Sequence, residues 1–271
     1  NIVNLDFVKQ QAVVPQIAGV MLIDSRPAAR KYDQGHIPTA VNIPDSAFDK
    51  LAPTLLPADK ATLLVFYCDG PECILSHNSA FKAEKLGYTN IRVYADGFPD
   101  WIKGGNLHAV SVPYLKKLMD EKTPITLIDS RPKERKYDLG HIPGAISLPD
   151  SQFDKLAAQL LPADKAAALY FYCEGLSCKL SNDSAQKAIK LGYSNVKVVP
   201  EGYPAWEKAY GAGTSAATAK PPAIEAGKDA GTITVASFER IYKEAPASVH
   251  LIDVREPQEH AICSIEGAHL T

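Results

Sequence analysis

Four of the five cysteines fall into two matching pairs. FYCDGPECILS covers residues 66–76 and FYCEGLSCKLS covers residues 171–181, so Cys68 and Cys73, like Cys173 and Cys178, lie five positions apart. Such a pair could form a nucleophilic loop, half of a metal clip, a disulfide, or simple packing. Each pair follows an apolar run, the first being LLVFYC at 63–68. A strand ending at Cys68 or Cys173, a short turn containing Gly70 or Gly175, and a helix beyond it would leave several backbone N–H groups without partners. Pointed inward, those groups make an anion-binding nest. A cysteine in such a nest has its thiolate stabilised and becomes nucleophilic. A thiolate that accepts one sulfur atom becomes a persulfide, also an anion, and can pass that sulfur to a second nucleophile by double displacement.

The competing chemistries differ in what they require. Cysteine is among the most buried residue types, so packing is the plain alternative for any single one. Recurrence in two loops argues against it for Cys68 and Cys173. Cys73 and Cys178 are candidate resolving thiols, able to close a short reversible bridge, or else half-buried structural residues. A zinc site needs about four ligands, and each loop supplies two on a separate copy. No metal and no cofactor is expected.

The elements that must position these loops repeat. LIDSRPAARKYDQGHIPTA begins at Leu22 and LIDSRPKERKYDLGHIPGA at Leu127, an offset of 105 shared by Asp24 and Asp129, His36 and His141, and Trp101 and Trp206. Between 22–103 and 127–208, aligned without gaps, 52 of 82 positions are identical, which marks a duplicated domain. LIDVREPQEH, starting at Leu251, begins a third, partial copy that ends at Thr271 before any cysteine loop; Cys263 has no counterpart in the others. The expected organisation is one domain at 1–108, a second at 109–212, an Ala/Gly/Thr/Pro-rich linker at 213–232, and the partial copy at 233–271.

Within a copy, VMLID (20–24), AVNIP (40–44), LLVFYC (63–68) and IRVYADG (91–97) read as strands. Leu75, Ser79, Ala83 and Leu86 follow a helical spacing, with Ser76 or a neighbour as cap and Gly87 as stop. PDWIKG reads as a short last helix. Strands alternating with helices predict an α/β fold, with a central, mostly parallel sheet covered by helices on both faces. In such sheets ligands bind beyond the strands' carboxyl ends, where Cys68 and Cys173 stand. Asp24-x-Arg26 and Asp129-x-Arg131 lie at the same end, as loop-anchoring ion pairs or as electrostatic support for the sulfur. Trp101 and Trp206 read as core, and His36 and His141 as loop braces.

The ordered set LIDSRP, GHIPTA, FYCDGPECILS and LGYTNIRVYADGFPDW, present twice, resembles the rhodanese (sulfurtransferase) domain family across 5–108 and 110–212, and in part across 233–271. The resemblance implies catalytic cysteines at Cys68 and Cys173 that carry persulfide sulfur. It also implies a small sulfur-donor anion such as thiosulfate, and a thiol, cyanide-like or protein acceptor. The remaining loop residues, Asp69, Gly70, Pro71, Glu72 and Ile74 in one copy and Glu174, Gly175, Leu176, Ser177 and Lys179 in the other, would line the substrate. Two departures stand out. The interval from Cys68 to Gly87 implies about two extra loop residues, and the loops are acidic where the family often has Arg or Lys. Acidic neighbours raise a thiol pKa and repel an anionic donor. Lys179 therefore makes the second loop the better candidate for thiosulfate.

Two other functions stay open at this point. A non-catalytic binding or thiol redox-sensing module could use the same paired cysteines. A phosphate-holding loop would need an arginine at its end, which neither loop has. The formal net charge of −2 gives no nucleic-acid footprint, and no apolar run approaches the ~20 residues of a spanning helix. The initial Asn1 and the linker's composition lean towards an exported, cell-envelope setting.

Overall fold

The computed structural model describes residues 1–213, 225–229, 232–244, 252–253 and 269–270. Residues 1–214 form one compact unit and 215–271 another. The first copy runs α1 (Leu5–Gln11), β1 (Val20–Asp24), β2 (Val41–Asn42), α2 (Phe48–Leu55), β3 (Leu63–Tyr67), α3 (Leu75–Lys85), β4 (Ile91–Tyr94), α4 (Gly97–Lys103). The second runs β5 (His108–Ala109), α5 (Val112–Asp120), β6 (Thr126–Asp129), β7 (Ile146–Ser147), α6 (Phe153–Leu160), β8 (Leu169–Tyr172), α7 (Leu180–Lys190), β9 (Val196–Val199), α8 (Gly202–Tyr210).

The sheets have orders β2-β1-β3-β4 and β5-β9-β8-β6-β7, and every strand pair in them is parallel. Side chains along a strand alternate between faces, and the cores divide accordingly. Ile23, Leu64, Phe66 and Val93 pack with Phe48 and Ala52 of α2 and Ala80 and Ala83 of α3. Leu22, Val65, Tyr67 and Tyr94 pack on the other face with Val8 of α1 and Trp101 of α4. The second sheet repeats this with α6 and α7 on one face and α5 and α8 on the other. Each copy is thus an α/β layer structure whose central strands are covered on both sides, which explains their nearly continuous apolar runs.

Some boundaries differ from the sequence reading. AVNIP shortens to Val41–Asn42, and the strand within IRVYADG stops at Tyr94 because Gly97 already starts α4. Ser76 does not cap α3: Ile74 holds the N-cap position and makes no side-chain cap bond. The expected boundary between 108 and 109 falls inside β5, whose two residues both pair with β9 of the second sheet. This stretch also grips the first copy, since His36 and Ala109 exchange N–H···O bonds of 2.9 Å and Ser111 N–H donates to Asp33 O at 3.0 Å.

In the second unit, α9 (Val235–Glu244) precedes β10 (Ile252–Asp253), which pairs in parallel with β11 (His269–Leu270). Asp253 stands opposite Leu270 as Asp24 stands opposite Asn42 and Asp129 opposite Ser147. Most of the expected linker, the rest of LIDVREPQEH and Cys263 lie outside the described residues.

Glu201 lies close to the first copy's Asp33. Its Oε2 is buried without a hydrogen-bond partner. Burial, helped by the negative charge of Asp33, pushes its pKa up to about 7 from 4.5. A carboxyl group raised in the folded state contributes stability that is complete below its unfolded value and is lost as pH rises through the folded one. Wild type should therefore lose thermal stability relative to Glu201→Gln between pH 5 and pH 8. An unchanged difference in melting temperature across that interval would contradict the assignment.

Candidate active site

Each cysteine loop is fastened at three points. The first is the carbonyl of its leading cysteine. Phe98 N–H, at the start of α4, donates to Cys68 O at 2.9 Å, and Tyr203 N–H, at the start of α8, donates to Cys173 O at 3.0 Å. The approach requires glycine next door. Gly97 and Gly202 both have φ +64, and a Cβ there would lie 2.3 Å from the cysteine carbonyl oxygen.

The second is a buried guanidinium. Arg131, 2% exposed, binds fully buried Asp129 through Nη2–Oδ2 at 2.7 Å and Nε–Oδ1 at 3.0 Å, and donates to Gly140 O at 2.7 Å. Its Cζ lies 4.4 Å from the Tyr203 ring centroid. Nη1 meets Glu174 Oε2 at 3.5 Å, and Lys136 Nζ meets Oε1 at 3.1 Å. Arg26 repeats the arrangement with Asp24, Gly35 O and the Phe98 ring, and meets Asp69 at 3.3 Å while Lys31 meets it at 3.0 Å. The acidic residue after each leading cysteine is therefore neutralised by two cations. Neither lysine stood out in the sequence, although both lie in the shared RKYD run.

The third fastening is the sulfur itself. Cys68 and Cys173 are buried, at 0% and 1% exposure. Cys173 S–H donates to Cys178 O at 3.1 Å, and Ser181 Oγ lies 3.2 Å from the same sulfur. In the first copy the distances are 3.0 Å to Cys73 O and 3.2 Å to Ser76 Oγ. Ser76 and Ser181 thus serve the sulfur rather than a helix cap. Their positions were legible only as the shared last letter of the two quoted stretches.

Burial of both sulfurs runs against the expectation that they are directly reachable from solvent. Burial, then the hydrogen bond to Cys73, pushes the Cys68 thiol up. The Cys173 thiol is pushed up by its hydrogen bond to Cys178 and then by burial. The pKa of half-buried Cys178 is instead lowered to about 6, first by the hydrogen bond from Cys173, with further help from the N–H groups of Glu174 and Leu180 and against burial and the Glu174 charge. The single S–H of Cys173 has two acceptors on one residue, the carbonyl oxygen and the sulfur of Cys178. Once Cys178 ionises, its sulfur is the stronger acceptor. Backbone N–H groups reach both sulfurs, that of Ser181 the inner one and those of Glu174 and Leu180 the outer one.

Around the pair, Pro71, Glu72, Ile74, Leu176, Ser177 and Lys179 are exposed, Gly70 is buried and Gly175 half-buried. Gly70 and Gly175 take φ +109 and +117, and turn the chain so that Cys73 and Cys178 N–H donate to their carbonyls at 2.9 Å. Among the described residues Lys179 pairs only with Asp183, at 3.6 Å and exposed. Among the described residues no cluster of His, Cys, Asp or Glu could hold a metal ion, and no helix is long and apolar enough to cross a membrane.

Parallel α/β copies with a paired-cysteine loop at the strand ends define a class, and comparison with known proteins supplies the family. The rhodanese-like domain family matches residues 9–103 and 111–209, and the chain belongs to it. A curated relative, the HTH-type transcriptional regulator Rv0324 of Mycobacterium tuberculosis, is 37% identical over 90 residues, or 33% of this chain and 37% of the relative. Among solved structures, a thiosulfate sulfurtransferase from Pseudomonas aeruginosa is 20% identical with TM-score 0.34, over 100% of this chain and 57% of that one. The 3-mercaptopyruvate sulfotransferase SseA from Escherichia coli is 18% identical with TM-score 0.35, over 74% of this chain and 98% of that one.

The helix-to-carbonyl fastening is testable by glycine substitution. Gly202→Ala puts a methyl group against Cys173 O, whereas Gly144→Ala, at φ +77, meets nothing within 4 Å. Gly144→Ala should cost about 1 kcal/mol, from strained backbone alone. Gly202→Ala should cost clearly more in denaturant titration. Equal losses would show that the close approach does not matter.

Proposed function

We propose that this chain is a sulfurtransferase that carries sulfane sulfur as a cysteine persulfide, with the paired thiols of the second loop as its working site. One observation carries the reading: half-buried Cys178 lies beside the buried S–H of Cys173, which donates to its carbonyl oxygen at 3.1 Å, and this neighbour together with the N–H groups of Glu174 and Leu180 lowers its pKa. Family membership supports the class of reaction.

In the first half-reaction the Cys178 thiolate attacks the outer sulfur of a donor such as thiosulfate. A new S–S bond forms, the donor's S–S bond breaks, and sulfite leaves with the electron pair. The amides of Glu174 and Leu180 and the Cys173 S–H hold the negative charge both before and after. In the second, an acceptor thiolate or cyanide attacks the terminal sulfur and Cys178 leaves as thiolate. Cys173 keeps the neighbouring proton throughout, as a positioning residue for this exchange. Cys68 and Cys73 repeat the geometry in the first copy.

Lys179 gives the second loop its advantage with an anionic donor. Its pairing with Asp183 is exposed and therefore weak, so its charge is available to attract an anion, while the first copy has Ile74 there. A thiol redox switch is the second reading, favoured by the same close pair of cysteines. It predicts reversible loss of two thiols per loop with no gain of sulfur.

Cys173→Ser keeps a hydroxyl donor beside Cys178 and removes the neighbouring thiol. Peptide mass mapping after exposure to thiosulfate should show one added sulfur on Cys178 in this variant, and none on the second loop in Cys178→Ser. Lys179→Ile should slow the uptake several-fold at low salt and little at high salt. No added sulfur on any loop cysteine would contradict the proposal.

A further inference from the structure

A persulfide on one thiol of a close pair has an internal fate as well as an external one. We propose that the second loop resolves its own persulfide in the absence of an acceptor, closing a Cys173–Cys178 disulfide and releasing hydrosulfide. This makes the chain a sulfide-releasing enzyme that consumes a dithiol reductant. The inference rests on the persulfide reading above.

The geometry supplies each part of the step. The inner sulfur lies 3.1 Å from the carbonyl oxygen of Cys178, the residue that would carry the persulfide, and the two thiols also interact side chain to side chain. Gly175 at φ +117 and the bond of 2.9 Å from Cys178 N–H to Gly175 O fold the intervening residues into that turn. Cys173 is buried at 1% exposure, so no external thiol reaches it and its natural electrophile is the sulfur beside it. Ser181 Oγ, 3.2 Å away, remains beside the inner sulfur to hold charge on it as its proton departs.

The step balances. Cys173 sulfur attacks the Cys178 sulfur, and the bond between Cys178 and the terminal sulfur breaks. The terminal sulfur leaves with that electron pair and takes the Cys173 proton, giving hydrosulfide. The sulfane sulfur is reduced to the sulfide level and the two cysteines are oxidised to a disulfide. A small dithiol then reduces the disulfide by thiol–disulfide exchange and restores both thiols. The buried thiol thus has a use that sulfur transfer to an external acceptor does not give it: it holds the proton the leaving sulfide needs.

The test uses the full chain, reduced and then freed of reductant, with thiosulfate as the only added reagent. Hydrosulfide is trapped and counted, and the peptide containing residues 173–178 is weighed. In wild type that peptide should become lighter by two hydrogens, with one hydrosulfide released per bridge formed. In Cys173→Ser it should instead become heavier by one sulfur, and release from this loop should stop. Adding a dithiol should turn the single release in wild type into continuous release. A stable persulfide in wild type, or a bridge formed without hydrosulfide, would overturn the inference and leave sulfur transfer standing. Absence of sulfur uptake in Cys173→Ser would overturn both.

Discussion

A guanidinium buried beneath each cysteine loop ties together groups far apart in sequence. Arg131 satisfies the carboxylate at the end of β6, a carbonyl of the GHIPGA turn and the acidic residue that opens the loop, while stacking on the ring that begins α8. Asp129 is wholly buried, and a carboxylate there is tolerable only with such a partner. Removing the arginine would leave an uncompensated buried charge, a loss on the order of 3–5 kcal/mol. It would also release the loop. Stability and site geometry therefore rest on the same side chain, and Arg26 does the same in the first copy.

The arrangement divides labour between the two thiols of a loop. A sulfur buried at a strand end is poorly placed to ionise, because burial penalises the charged form. It is well placed to donate a hydrogen bond. Its neighbour, half-buried and reached by two backbone N–H groups, takes the charge that the first declines. One shared proton thus disfavours charge on the first thiol and favours it on the second, the division that the proposed transfer requires. The acidic residue that would oppose ionisation is screened by Arg131 and Lys136, so Glu174 weighs less against the proposed thiolate.

Much of the fold was legible because it rests on local patterns. β1 matches VMLID residue for residue, and the duplicated motifs located both copies. What was not legible depended on contacts between distant residues. No spacing rule indicates that Ser76 turns towards Cys68 instead of capping its helix. Nor does the sequence reveal that the amides of Glu174 and Leu180 reach Cys178 while only that of Ser181 reaches Cys173, because that depends on how Gly175 turns the loop and how deeply β8 is buried. The basic side chains that pair with Asp69 and Glu174 are supplied from the segments after β1 and β6, more than thirty positions earlier in the chain. β5 was missed because it is two residues long and forms only by pairing with β9.

The division of charge between the paired thiols is the claim from which the rest follows. Its most direct measurement is the pH dependence of alkylation, resolved by peptide mass at residues 173 and 178 separately. The account predicts that Cys178 reacts with a midpoint near pH 6 while Cys173 stays unmodified through neutral pH. Reaction of Cys173 first, or a Cys178 midpoint at the ordinary thiol value of ~8.5, would contradict it.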